Sequence, residues 1–291
     1  MSISLTLFFT FIAIVGWGFG DFFIQKMVRK IGNWETLFLI TAFGAIALSP
    51  FVIKDIPELF TFNSSTFFIM LGASVILLFA ALFEFESLKQ GKLAIVEPIW
   101  SLEIIASTIL AFLILNEIIN FKQVLLIGFL IIGLILISLK SYHFDKKIWL
   151  EKGVFIAVLA AITMGAANFF VGFGARASDG IMMIWFLNCF MALTCLIYLV
   201  YNKKIGIMFR QLKENKKPII GMCILDNAAW LGFALAMAIA PIGITVALSE
   251  SYIIIPVLLG IYINKEYIRF HQKFGIILAI ISAIMLAIVT Y

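Results

Sequence analysis

Ten stretches of about twenty mostly apolar residues, parted by short polar breaks, account for nearly the whole 291-residue chain. About twenty apolar residues are what a helix needs to cross the hydrocarbon of a bilayer. The stretches fall at roughly 3–27, 34–54, 66–90, 93–115, 121–140, 152–174, 180–202, 217–239, 242–264 and 271–291. Hydrophobic residues make up 64% of the chain and charged residues 13%, against about 45–50% and about 25% in ordinary soluble domains. A soluble interior cannot hold that much apolar surface, so the lipid bilayer is the solvent. The expected fold is an all-α membrane protein of ten transmembrane helices. The N-terminus is apolar from Ile3 onward and lacks the basic region and small-residue cleavage pattern of a signal peptide; it reads as the first span.

The chain repeats itself. The stretch from Leu115-Asn116-Glu117 to Lys122-Gln123 aligns with Asn264-Lys265-Glu266 to His271-Gln272, an offset of 149. Gly18-Phe19-Gly20-Asp21-Phe22-Phe23 aligns with Gly165-Ala166-Ala167-Asn168-Phe169-Phe170, an offset of 147. This divides the chain into a first five-helix repeat at 1–140, a linker at 141–151 and a second five-helix repeat at 152–291. Five is odd, so the second repeat enters the membrane the opposite way round. Inverted repeats of this kind place their sites near the bilayer midplane, in a central cavity between the halves.

Of the 21 Lys and Arg, 18 lie in or beside the odd-numbered links between spans, and the other face holds Lys54, Lys122 and Arg176. The positive-inside rule puts the larger group in the cytoplasm. Both termini are then expected outside, in a multi-pass protein of the plasma membrane. Basic residues scattered through short loops form no nucleic-acid patch.

Seven acidic residues fall inside spans, with no Lys or Arg at comparable depth: Asp21, Glu84, Glu86, Glu97, Glu103, Asp226 and Glu250. A carboxylate at the centre of a membrane helix costs roughly 2.5–3.5 kcal/mol even on insertion scales. Such groups mark ion, proton or substrate paths. Glu103, Asp226 and Glu250 lie near the middles of their spans, and Asp21 is matched by Asn168 in the other half. The alternative for each is a structural hydrogen bond to a neighbouring helix. Glu97 stands near a span start and can snorkel to water. Glu117 and Glu266 lie at loops and read as structural.

Aromatic neighbours add a chemical hint. Trp17 precedes Asp21 by four residues, and Asp226 precedes Trp230 by four, so each pair shares a helical face. Trp100 stands three before Glu103, and Trp185 three before Asn188. An indole face beside a carboxylate suits a substituted ammonium ion. The alternative is interfacial anchoring, which fits Trp34 and Trp149 at span ends.

Three places resemble a known group. Trp17-Gly18 with Phe22 resembles the Trp-Gly stretch in the first helix of the drug/metabolite transporter superfamily. Leu102-Glu103, Asn116-Glu117, Gly128 and Gly133 resemble the end-of-repeat signature of its EamA-type members. Pro256, Lys265-Glu266 and Gly275 resemble its second copy. Ile104 stands where the family often has Pro, and Met164 replaces Trp in the second copy. The resemblance covers essentially the whole chain. It implies two five-helix repeats and transport of small organic molecules without ATP. Members are usually drawn with cytoplasmic termini; the charge count places them outside.

The expected function is secondary-active transport of a small polar metabolite, amine-containing or cationic, by alternating access with proton coupling. A passive channel is the alternative. The expected substrate and proton residues are Glu103, Asp226, Glu250, Asp21, Trp17, Trp230, Trp185, Asn168 and Glu84, with the cavity lined by spans 1, 3, 4, 6, 8 and 9. No enzyme motif is present: no Walker loop, GxGxxG after a strand, HExxH or GxSxG. No cofactor is expected. Cys189, Cys195 and Cys223 lie in apolar stretches without CxxC spacing, and His143 and His271 lie in or beside loops, so no metal site is expected. Partners reduce to a small-molecule substrate and the lipid bilayer, with the protein a monomer or homodimer.

Overall fold

The computed structural model describes residues 2–60, 64–90, 99–139, 152–255, 258–259 and 269–290. Glu97, Pro98, Trp149, Pro256, Lys265-Glu266, His143 and the 141–151 linker lie outside the described residues. The helices are α1 (Ser2–Ile31), α2 (Asn33–Val52), α3 (Ser64–Gln90), α4 (Leu102–Leu115), α5 (Phe121–Ser138), α6 (Lys152–Ala177), α7 (Gly180–Tyr201), α8 (Ile205–Glu214), α9 (Lys216–Ile239), α10 (Ile242–Ser249) and α11 (Phe270–Thr290). Two 3₁₀ turns, Ile56–Phe60 and Glu250–Ile253, also lie among the described residues. No strand occurs among the described residues.

Among the described residues, eight helices are long and apolar enough to cross a membrane: α1, α2, α3, α5, α6, α7, α9 and α11. The shorter apolar segments Leu102–Leu115 and Ile242–Ile253 stand where the fourth and ninth spans are expected. Two expectations need correcting. The stretch after Asn202 is not a plain polar link, because it folds into α8. The ninth span is not one continuous α-helix, because it tightens to a 3₁₀ turn at Glu250–Ile253.

Local chemistry sets the helix ends. Asn120 and Gln123 form a reciprocal capping box at the start of α5: the Asn120 side chain accepts from Gln123 N–H and the Gln123 side chain from Asn120 N–H, each at 2.9 Å. Asp179 caps α7, accepting from the Ile181 N–H at 2.9 Å. Such caps satisfy amide donors that a helix start leaves without partners. Gly32 turns the chain between α1 and α2 at φ 109°, a conformation that favours glycine.

Five helix pairs pack on one another, α1 on α9, α3 on α6, α2 on α7, α4 on α10 and α5 on α11, beside a further packing of α4 on α6. Exchanging each span with the one five places later maps α1·α9 onto α6·α3 and returns α2·α7, α4·α10 and α5·α11 to themselves. That is the packing a two-repeat protein with a pseudo-two-fold axis produces. Small residues allow the closest approaches, as lipid-embedded helices require. A Cβ at Gly16 of α1 would stand 2.7 Å from Ala229 Cβ and the Leu225 carbonyl on α9. Between α5 and α11, a Cβ at Gly275 would stand 2.8 Å from the Gly133 carbonyl.

Phe8, Phe11, Phe22, Ile46, Phe112 and Ile281 point outward, while Phe169, Phe233, Met183, Met222 and Met237 fill the interior. Phe22, part of the first-helix motif, therefore faces the lipid side.

Candidate functional site

Because α1 packs on α9, their two tryptophan–aspartate pairs meet. The Trp17 and Trp230 rings stand edge to face with centroids 5.3 Å apart. Phe233 and Tyr252 close around Trp17 at 5.0 and 6.0 Å. Asp21 lies one turn after Trp17 on α1 and Asp226 one turn before Trp230 on α9. All of these except Phe233 line a single cavity of about 110 Å³, room for several waters or a small solute.

The opposite wall comes from α3, α4, α6 and the 3₁₀ turn after α10. It carries Glu84, Trp100, Glu103, Met164, Asn168 and Glu250. Glu103 sits in the first turn of α4 and is held from α6: Asn168 Nδ2 donates to its Oε2 at 3.2 Å. Gly165, one turn before Asn168, lets α6 press against the Glu103 backbone. Glu103, Asp226 and Glu250 are only 7%, 8% and 3% exposed.

No Lys or Arg is among the lining residues. Two buried polar atoms in the wall have no described donor or acceptor of the usual kind: Trp100 Nε1, which can only donate, and Glu250 Oε2. Buried polar groups are nearly always satisfied, so such exceptions need a cause. A cavity that holds water or a solute supplies one.

Eight of the nine expected site residues line this cavity; Trp185 does not. Its Nε1 donates to Ser49 Oγ at 2.9 Å, joining α7 to α2. Glu86 also lies elsewhere, bonded to Asn33 and Gln90. The wall includes the second and seventh spans, which the sequence reading left out. They supply Leu37, Ile40, Thr41, Leu187, Asn188 and Met191. Tyr252 and Thr41 were not singled out either. For Thr41 the sequence carried a signal: it stands 147 residues before Asn188, the offset that relates the repeats. The same offset relates Glu103 to Glu250.

A polar tie supports the seventh-span side. Asn188 donates to Asn227 Oδ1 at 3.0 Å, and Asn227 donates to the Ile40 carbonyl at 3.0 Å and the Cys223 carbonyl at 2.9 Å. Gly44 leaves room for it, since a Cβ there would fall on the two amides.

The cavity is set toward one face. Asp21 and Ile24 on α1, Leu37 to Thr41 on α2, and Ala81 to Phe85 on α3 lie in the helix halves nearest the first and third links, the basic ones. The other face is fastened by a clasp. Arg176 pairs with Glu117 at 2.7 Å and donates to the Met237 carbonyl at 2.9 Å and the Ala240 carbonyl at 2.5 Å. Glu117 in turn accepts from the Ile242 N–H at 2.9 Å. Among the described residues, no group of three His, Cys, Asp or Glu side chains is placed to hold a metal ion.

This architecture matches the EamA-like transporter family twice, over residues 4–139 and again over 151–288. The chain belongs to the EamA-like transporter family. This transporter also shares its fold with a solved crystal structure at TM-score 0.76 and 14% identity, covering 99% of this chain and 97% of the other. No curated protein matches it. As an EamA-like protein it is a multi-pass membrane transporter of small solutes.

Proposed function

We propose that this EamA-like protein is a secondary-active transporter of a small solute bearing a substituted ammonium group, working by alternating access with proton coupling. The observation that carries this reading is the cavity itself. Five carboxyl groups, Asp21, Glu84, Glu103, Asp226 and Glu250, converge there with Trp17, Trp100, Trp230 and Tyr252, and no Lys or Arg joins them. An aromatic face attracts a cation electrostatically and a nearby carboxylate neutralises it. The combination selects a positively charged organic group over a phosphate or a carboxylate. In this reading 1–140 and 152–291 are the two moving repeats, 141–151 joins them, and the protein acts in the plasma membrane with its basic face in the cytoplasm.

The test is a thermal-shift screen of the purified protein against amines, amino acids, sugars and nucleosides at two pH values, followed by uptake of the hits into proteoliposomes. Amines should stabilise the protein, and Asp21→Asn and Asp226→Asn should each abolish their uptake. Stabilisation by sugars alone, or uptake unchanged in both variants, would refute the reading. Unitary currents in a planar bilayer would point instead to a channel.

A further inference from the structure

Two buried atoms in the cavity wall lack protein partners, and their needs are complementary. Trp100 Nε1 is a donor with no described acceptor, and Glu250 Oε2 is an acceptor with no described donor. Both residues line the cavity, and they are only 8% and 3% exposed. Buried polar groups left this way are costly unless something meets them. The Trp100 ring is held from α6, where it packs on Ala157 and Ala161.

The repeat explains the gap at Glu250. Glu103 and Glu250 stand 147 positions apart, and Asp21 and Asn168 are related by the same offset. Glu103 accepts from Asn168 Nδ2 at 3.2 Å. The matching donor for Glu250 belongs at position 21 of α1, the helix that packs on the 3₁₀ turn carrying Glu250. That position holds aspartate, and a carboxylate has no hydrogen to give. Thr41 and Asn188, also in the wall, are engaged elsewhere: Thr41 donates to the Leu37 carbonyl at 2.8 Å and Asn188 to Asn227 Oδ1 at 3.0 Å.

A group that meets both needs accepts at Trp100 and donates at Glu250. A hydroxyl has one hydrogen and two lone pairs, so it does both. A carboxylate on the cargo accepts from Trp100 but gives Glu250 nothing. It would also sit among Asp21, Glu84, Glu103, Asp226 and Glu250 with no Lys or Arg to balance it. A second ammonium serves Glu250 but cannot accept from Trp100. A plain alkyl chain serves neither.

We propose, resting on the substituted-ammonium reading above, that the cargo is a small amino alcohol. Trp100 and Glu250 select its hydroxyl, while Trp17, Asp21, Asp226 and Trp230 take its ammonium end. Amino acids, diamines and simple alkylamines are then poorer cargo than the alcohol.

Titration calorimetry of the purified protein tests this with three probes that share a dimethylammonium group: dimethylaminoethanol, dimethylpropylamine and dimethylglycine. The alcohol should bind at least about ten-fold tighter than the propylamine, because a site built around a hydroxyl is left with unpaired groups when an analogue lacks it. Dimethylglycine should bind more weakly than either. Trp100→Phe keeps an aromatic ring and removes the N–H. It should weaken the alcohol about ten-fold and leave the propylamine unchanged. Equal affinity for the alcohol and the propylamine overturns the proposal while upholding the amine reading, with water then serving both wall atoms. A preference that survives Trp100→Phe undiminished, or dimethylglycine binding as tightly as the alcohol, also overturns it. Binding of none of the three overturns the amine reading together with it. The comparison of probes uses the unaltered chain, so it decides the matter even if Trp100→Phe fails to fold.

Discussion

Replacing Arg176 by Ala removes the centre of the clasp on the face away from the cavity. Three contacts go together: the 2.7 Å ion pair to Glu117 and the two donations to the Met237 and Ala240 carbonyls. Hydrogen bonds involving a charged group contribute about 1.5–3 kcal/mol each when shielded. The Arg176 side chain is 28% exposed, however, and the Glu117 side chain 13%, so water replaces part of what is lost. The lower end of the range is appropriate, and the three contacts are not independent. A total of about 2–4 kcal/mol follows. Glu117→Gln should cost less, about 1–2 kcal/mol, because an amide oxygen still accepts from the Ile242 N–H. The double variant should fall short of the sum by about 1–2 kcal/mol, since either change alone breaks the ion pair. In a chain of this size each kcal/mol moves the melting temperature by about 2–4 °C. Arg176→Ala should therefore melt at least 4 °C lower, followed by tryptophan fluorescence in detergent. A melting point within a degree of the parent, or strictly additive single effects, would refute the reasoning. A sidedness consequence also follows. Links four to five, six to seven and eight to nine meet at this clasp, so loosening it should expose the cavity to a membrane-impermeant thiol reagent from that side, with Met164→Cys as the reporter.

Gly44→Ala should destabilise the protein by about 1–3 kcal/mol, because its Cβ lands on the Asn188 and Asn227 amides and breaks the buried hydrogen bond between them; thermal shift of Gly44→Ala alone and combined with Asn227→Ala checks it, the pair being less than additive. Asn120→Ala removes the α5 capping box and should cost about 1 kcal/mol, seen as a small drop in melting temperature with activity retained. Trp17→Leu keeps the apolar packing but removes the ring face, so affinity for any amine found in the screen should fall about ten-fold, measured by titration calorimetry.

Hydropathy exposed the spans because each needs an unbroken apolar run, and the carboxylates stood out because burying them in lipid is costly. What escaped the sequence reading depended on contacts between helices. Trp185 and Asn188 share a face of α7, yet Asn188 meets Asn227 while Trp185 reaches Ser49 of α2. Their spacing alone does not say which neighbour takes which. The helix α8 was hidden by its charges, although the signal was there. Ile205, Met208 and Leu212 recur at helical spacing; Met208 is buried and the other two half-buried, while Lys213, Arg210 and Glu214 face outward. Lys30, at the end of α1, donates to Asn215 at 2.6 Å just beyond it. The 3₁₀ turn at Glu250 carries serines on either side whose hydroxyls bond back to the Val246 and Leu248 carbonyls. Such local bonds compete with regular helix, and a run of average hydropathy does not display them.

The repeat also explains where the cavity keeps its symmetry and where it abandons it. At one pair of equivalent positions the residue type is kept: Glu103 and Glu250 both line the cavity, although Glu103 accepts from Asn168 while Glu250 Oε2 has no described donor. Elsewhere the two copies have diverged in chemistry: Asp21 stands against Asn168, Trp17 against Met164, and Thr41 against Asn188. One flank thus carries an indole and a carboxylate where the other carries a thioether and an amide. On the proposed reading, a cation in this cavity meets two indole–carboxylate pairs on the α1·α9 side, Trp17 with Asp21 and Trp230 with Asp226, across from Glu84, Glu103 and Glu250. Asp226 and Trp230 have Phe79 and Phe83 at the equivalent offset, which deepens the contrast. A symmetric cage would hold a cation in two equivalent poses; on the proposed reading the asymmetric lining favours one of them. Exchanging the flanks should relocate it. A variant carrying Asp21→Asn with Asn168→Asp keeps the number of carboxyls constant, so recovery of cation binding without recovery of uptake would separate charge count from placement, whereas full recovery of both would show that placement carries no weight.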